Sequence, residues 1–432
     1  MSAPAAVIPD DTPVSETLRH VTVTSKKFPV VFTFMTVVLG LILAFAPREG
    51  ETKFRFSAES DFIVIPSISV PAMPVAWVCL ALLVLVTALS WLLYARERRT
   101  PLLAGVVFGL AFLTGFLSWG GAGSVSDFSV VRLISASVLL AVPILFGALG
   151  GAIGERAGVI NIAIEGQLLA SAFVAAVVGT ITKSPWVGLM AALLAGALVA
   201  LVLGLFTITY RVNQVIVGVV LNVLVLGLTS FMFTQVLQPQ AALFNQTVRF
   251  TAVRIPVLSE IPILGPALFR QSIIVYLMYL AVPAVWFAMY RTRWGLRLRA
   301  VGEHPLAADT VGIKVERVRY RALLIAGAIV GFGGAYYTLV SVSAFNKGMT
   351  AGAGFIALAA VIFGKWDPVR AALAALLFGF ASALEGAMSV VGSPVPSQFM
   401  LMLPYVVTLF AVAGLVGRSR APAASGVAYV KE

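Results

Sequence analysis

One carboxylate, Glu165, stands among apolar residues in the stretch GERAGVINIAIEGQ at 154–167, with Asn161 and Gln167 beside it and glycines close by. A charged side chain inside a long apolar segment costs about 3 kcal/mol or more unless it is paired, protonated or turned toward water. Two roles fit such a group. It can line or gate a polar path, or it can cap and hydrogen-bond backbone where a helix breaks. Asn161 and Gln167 admit the same two readings, polar contact between helices being the commoner. Other reactive chemistry is scarce. The two histidines, His20 and His304, form no cluster with metal-ligand spacing, and there is no G-x-S-x-G elbow. A G-x-x-x-x-G-K-[ST] phosphate loop is missing too: Gly364-Lys365 is followed by Trp366. The single cysteine, Cys79, cannot form an intrachain disulfide. Hence no catalytic residue, no metal site and no ATP hydrolysis by a phosphate loop are expected on this chain.

Composition says what surrounds Glu165. Apolar residues make up 60% of the 432 and charged residues 11%, against about 45–50% and about 25% in soluble domains. Many apolar runs reach about 18 residues or more, where buried helices of a soluble protein reach about 10–14. Backbone at membrane depth must satisfy its own hydrogen bonds, so these runs are helices. The net charge of +12 resides in short segments between them. That is the pattern of topogenic loops, which argues against a nucleic-acid partner.

The reading is an all-α polytopic membrane protein of about 10–12 membrane segments, some short or broken. Spans are expected at 29–46, 73–94, 101–118, 132–153, 159–179, 186–209, 214–236, 273–290, 322–341, 351–364, 371–390 and 398–416. With Lys26-Lys27 inside, alternation puts Arg96–Arg99, Arg211, 291–321, Lys365, Arg418 and Arg420 on that same side, so both termini are expected to be cytoplasmic. Residues 1–27 read as a disordered cytoplasmic tail and 28–130 as additional N-terminal spans with an external loop at 48–72. Residues 131–418 read as the core and 419–432 as a cytoplasmic C-terminal tail. The stretches 154–167 and 352–365 are unlike the other segments. Short or glycine-interrupted segments placed comparably in two halves mark a transporter's substrate path.

The loop at 291–321 holds eight Lys/Arg against three acidic residues. Pro305 starts a short helix through Leu306, Ala307 and Ala308, and Gly312 ends it. Such a loop is either simply topogenic or a docking element for a partner on the cytoplasmic side.

Four stretches in order resemble the permease subunits of ABC importers in the branched-chain amino acid, ribose and nucleoside superfamily, most of all its nucleoside (simple-sugar) branch. They are GERAGVINIAIEGQ at 154–167, NQVIVGVVLNVLVLGLTSF at 213–231, TRWGLRLRAVGEHPLAADTVGI at 292–313 and GMTAGAGFIALAAVIFGKWDP at 348–368; MLPYVVTLFAVAGLVGR at 402–418 also fits. The resemblance implies the ABC importer permease fold, no cofactor on this chain, and ATP with Mg on a partner ATPase. It further implies a second, similar permease subunit and an extracellular lipid-anchored substrate-binding protein, in a bacterial cell membrane. Glu303, His304, Pro305, Ala307, Ala308 and Gly312 then correspond to the coupling element that sits in the ATPase. Asn161, Glu165, Gln167, Asn222 and Phe355 would line or approach the translocation path. Nucleosides are the implied solute, with simple sugars and riboflavin-like molecules as alternatives. Residues 1–130 carry no pattern of the superfamily. A secondary transporter without an ATPase would need several intramembrane carboxylates, and Glu165 is nearly alone.

Overall fold

The computed structural model describes residues 26–57, 64–124, 126–392, 395, 398, 399, 402 and 420–431. The expected tail at 1–27 and the expected span at 398–416 fall almost wholly outside them. Among the described residues ten helices are long and apolar enough to cross a membrane. The chain is a multi-pass membrane protein, and it divides into two compact units.

One unit comprises Met1–Glu49 and Ala72–Trp119. Its helices are α1 (Lys27–Phe45), α2 (Ala72–Ala95) and α3 (Leu102–Gly120). Phe32 of α1 stacks on Phe108 of α3 with centroids 4.1 Å apart, and the Thr36 and Thr87 hydroxyls bond at 3.1 Å. The Trp119 indole N–H donates to the Ala46 carbonyl at 2.7 Å. Much of α2 is exposed apolar surface, as a helix facing hydrocarbon requires.

The other unit holds Gly50–Pro71 and Gly120–Glu432. The segment at 48–72, expected as a loop, instead carries β1 (Glu51–Arg55) and β2 (Ile68–Pro71), paired antiparallel, with β3 (Phe128–Ser129) parallel to β1. Thr52 and Phe54 turn inward with period two, and the Phe54 ring meets Phe128 at 5.8 Å. Three such short strands are too brief to announce themselves in an apolar sequence.

The helices of this unit follow in order: α4 (Val130–Arg156), α5 (Ile164–Thr182), α6 (Pro185–Gly204), α7 (Gln214–Met232) and the short α8 (Ala241–Phe244). A two-stranded ribbon, β4 (Val253–Arg254) with β5 (Arg270–Gln271), flanks the single turn α9 (Leu264–Leu268). Then come α10 (Ile273–Arg291), α11 (Arg293–Glu303), α12 (Pro305–Thr310), α13 (Val315–Tyr336), α14 (Ala353–Phe363) and α15 (Pro368–Val390). Caps lie where side-chain oxygens precede the helix: Asn213 accepts from Val215 and Ile216, and Asp367, just before Pro368, from Val369 and Arg370.

The core lies along α4, α5, α13, α14 and α15, where Phe146, Leu149, Ile153, Leu168, Val330 and Phe378 are buried. Lipid provides no hydrophobic drive between helices, so close backbone approach of small residues takes its place. Gly196 of α6 and Gly327 of α13 face each other so closely that a Cβ on either would overlap the other's carbonyl. Gly196→Val should therefore destabilise the bundle by about 1–3 kcal/mol, read as a lower apparent melting midpoint of the purified protein. An unchanged midpoint would show that α6 and α13 separate at little cost.

Candidate functional site

Two interruptions of helix set the site. Between α4 and α5 residues 157–163 leave helical geometry, and α13, prolonged by a π-helical turn Tyr337–Ser341, is followed by the non-helical stretch 342–352 before α14. With 11 residues α14 rises about 16 Å, half of a hydrocarbon core of about 30 Å. Non-helical backbone at membrane depth is tolerated only where protein or water satisfies it.

Side-chain amides supply much of that satisfaction. Asn222 of α7 accepts from the Gly166 N–H at 2.8 Å and donates to the Ile162 carbonyl at 2.9 Å. Gln214 accepts from Ile160 N–H at 2.6 Å. Asn161 and Gln167, both fully buried, bond each other reciprocally at 3.1 and 3.4 Å. For the second interruption Asn245 does the same work: it accepts from Phe345 N–H at 2.6 Å and donates to the Phe345 carbonyl at 3.0 Å.

Glu165 joins the two interruptions. It sits, half-buried, in the first turn of α5. Its Oε1 accepts from Thr350 Oγ1 at 2.6 Å and from Gly352 N–H at 2.9 Å, and its Oε2 accepts from Gly354 N–H at 2.7 Å. The N–H groups of Gly352, which precedes α14, and of Gly354 in its first turn thus face a carboxylate, and the helix dipole favours the negative charge. A Cβ on Gly354 would overlap the Glu165 backbone, so only glycine permits the approach. Phe355, next along α14, is exposed. The five residues expected along a path therefore gather round the starts of α5 and α14. Asn161, Gln167 and Asn222 are engaged in holding backbone or each other, and Glu165 and Phe355 retain exposed surface.

At the other end of α14, Lys365 and Trp366 both take left-handed backbone conformations, each at a cost of about 1–2 kcal/mol. The end of α4 holds them. Glu155, buried, accepts from the Trp366 indole N–H, and Arg156 donates to the carbonyls of Trp366 at 3.2 Å and Lys365 at 3.4 Å. Arg156 also lies 3.8 Å from Glu303 at the end of α11.

The helix expected after Pro305 is α12, with Pro305 in its first turn and His304 just before it; Gly312, at φ 85°, follows where other residues would be strained. Ala307 is exposed, but Ala308 is buried against Val301, Val315 and Tyr429. Glu303 is occupied by Arg156 and by the Ala423 N–H at 3.2 Å. Sequence reasoning missed Asn245, Thr350 and the Glu155–Trp366 contact, because nothing local in a sequence pairs residues about 100–200 positions apart.

A family model described as branched-chain amino acid transport system / permease component matches residues 133–412. This chain belongs to that family. The permease is similar to the guanosine ABC transporter permease protein NupQ of Bacillus subtilis, 38% identical over 69% of this chain and 96% of the relative. It is 36% identical to the nucleoside ABC transporter permease protein NupC of Lactococcus lactis over 70% of this chain and 98% of that one. Against the putative glucose ABC transporter permease protein TsgC13 of Haloferax volcanii it is 40% identical over 59% of this chain and 76% of the relative. No solved structure matches. The family match begins within the first turn of α4 and takes in both interruptions, Glu165 and α11–α12; α1–α3 and the three-stranded sheet lie ahead of it.

For the permease, Glu165→Ala removes the acceptor for three donors and should cost about 2–4 kcal/mol of stability, measured as a fall in apparent melting midpoint. Glu165→Gln retains one acceptor oxygen and should fall between the wild type and Glu165→Ala. Equal midpoints for all three proteins would refute the clasp.

Proposed function

We propose that this chain is the membrane-spanning permease subunit of an ABC importer for nucleosides. It works beside a second, similar permease, receives solute from an extracellular lipid-anchored binding protein, and draws its energy from a partner ATPase that binds ATP and Mg. The observation that carries the reading is the match over nearly their whole length with two relatives named as guanosine and nucleoside permeases. The relative NupP of the same Bacillus is also similar, at 28% identity, which fits importers that use two related permeases. The glucose-named relative keeps a simple-sugar substrate as the second reading.

In this reading both termini and α11–α12 face the cytoplasm of a bacterial cell. The ATPase meets the exposed Leu306, Ala307 and Val311, while buried Ala308 seats α12 and Glu303 and Gly312 flank it in the chain. Solute passes the starts of α5 and α14, where Glu165 and Phe355 have exposed surface, and Asn161, Gln167 and Asn222 keep the broken backbone in place. ATP binding and hydrolysis bias two arrangements of the permease pair, so the chain itself needs only two states of similar energy.

Uptake of a labelled nucleoside into vesicles holding the complete importer should require ATP and be inhibited by unlabelled nucleosides, and not by simple sugars or riboflavin. Inhibition by sugars alone would transfer the assignment to the second reading. Uptake driven by an ion gradient without ATP would remove the importer reading altogether.

A further inference from the structure

The C-terminal segment 420–431 is not a free tail. It runs back over α11, α12 and the start of α13. Ala424 N–H donates to the Gly302 carbonyl at 2.9 Å, and Gly426 N–H to the Gly158 carbonyl at 3.3 Å. Ala423 N–H reaches Glu303, and Lys431 pairs with Asp309 of α12 at 3.2 Å. Arg319 of α13, buried to 1% exposure, donates to the Val427 carbonyl at 3.1 Å. Tyr429 turns inward against Val301, Ala308 and Val315.

With Tyr429 pinned inward, its neighbours turn out. Val427 and Val430 are 57% and 52% exposed, beside a helix whose Leu306 and following Val311 are 51% and 75% exposed. Tyr429 against Ala308 and Lys431 against Asp309 hold the segment that carries the two exposed valines against α12. Hydrocarbon does not suit this surface, because Asp309 of α12 and Lys431 of the segment form an ion pair there. A soluble protein surface with an apolar groove and charged margins does.

We propose that the segment 420–431 forms the second half of the ATPase-docking surface, with Val427 and Val430 as contact residues beside α12. The inference rests on α12 being the docking helix, and it adds a strand of chain that both braces α12 through Tyr429 and touches the partner itself.

The test titrates the ATPase subunit onto the complete permease complex in lipid nanodiscs. Three forms of this chain are compared: unchanged, Leu306→Asp, and Val427→Asp with Val430→Asp. All three positions are exposed, so the variants should insert and fold. Both variants should bind the ATPase about tenfold or more weakly, as loss of apolar interface anchors does. Weakening by Leu306→Asp with unchanged affinity in the valine pair would overturn the proposal and leave α12 as the docking helix. Unchanged affinity in both would overturn the docking reading together with it. A photo-crosslinker at position 427 gives a second measurement: crosslinks should form to the ATPase, and crosslinks only to the other permease subunit would overturn the proposal.

Discussion

The carboxylate of Glu165 accepts three hydrogen bonds from the chain around the start of α14, and through them two broken pieces of the membrane domain become one body. The physical constraint behind it is severe. A helix that begins within a bilayer leaves its first N–H groups without partners. A carboxylate at the same depth needs donors. Each group offsets the other's penalty. That mutual dependence explains why a charged residue can sit in so apolar a sequence without being a reactive group.

The remaining polar groups follow the same rule. Asn222, Gln214 and Asn245 each reach from one element to the non-helical backbone of another, and Asn161 and Gln167 close on themselves. Every one of them answers a place where helix was given up. What the fold gains is a pair of interruptions close together, with Glu165 and Phe355 retaining exposure beside them.

One short helix, α14, has both ends tied. Glu165 holds its first turn, and Glu155 and Arg156 hold the left-handed turn after its last. Arg156 in turn reaches Glu303, beside α12. The end of α4 therefore stands between two elements: Arg156 bonds the turn after α14 and pairs with Glu303 at the end of α11. A coupling free energy requires contacts that both sites can bias, and in the proposed reading Arg156 supplies one.

By itself the sequence determined the membrane class, most span boundaries and the odd character of the stretches around Glu165 and at 352–365. Apolar run length, loop charge and glycine content are local properties, and the bilayer makes them decisive. The start of α12 at Pro305 and its end before Gly312 were legible for the same reason, since both residues act through their own backbone. The three-stranded sheet was not legible, being five residues or fewer per strand. Nor were the partners of Glu165, the inward turn of Ala308, or the return of the C-terminal segment onto α11. Glu165 could have lined a path or capped a break, and its composition is the same in both cases. Only the approach of Thr350, Gly352 and Gly354, some 185 positions away, decides that it caps one helix start while keeping a face exposed, because a hydrogen bond depends on where two groups are in space and not on where they stand in the chain.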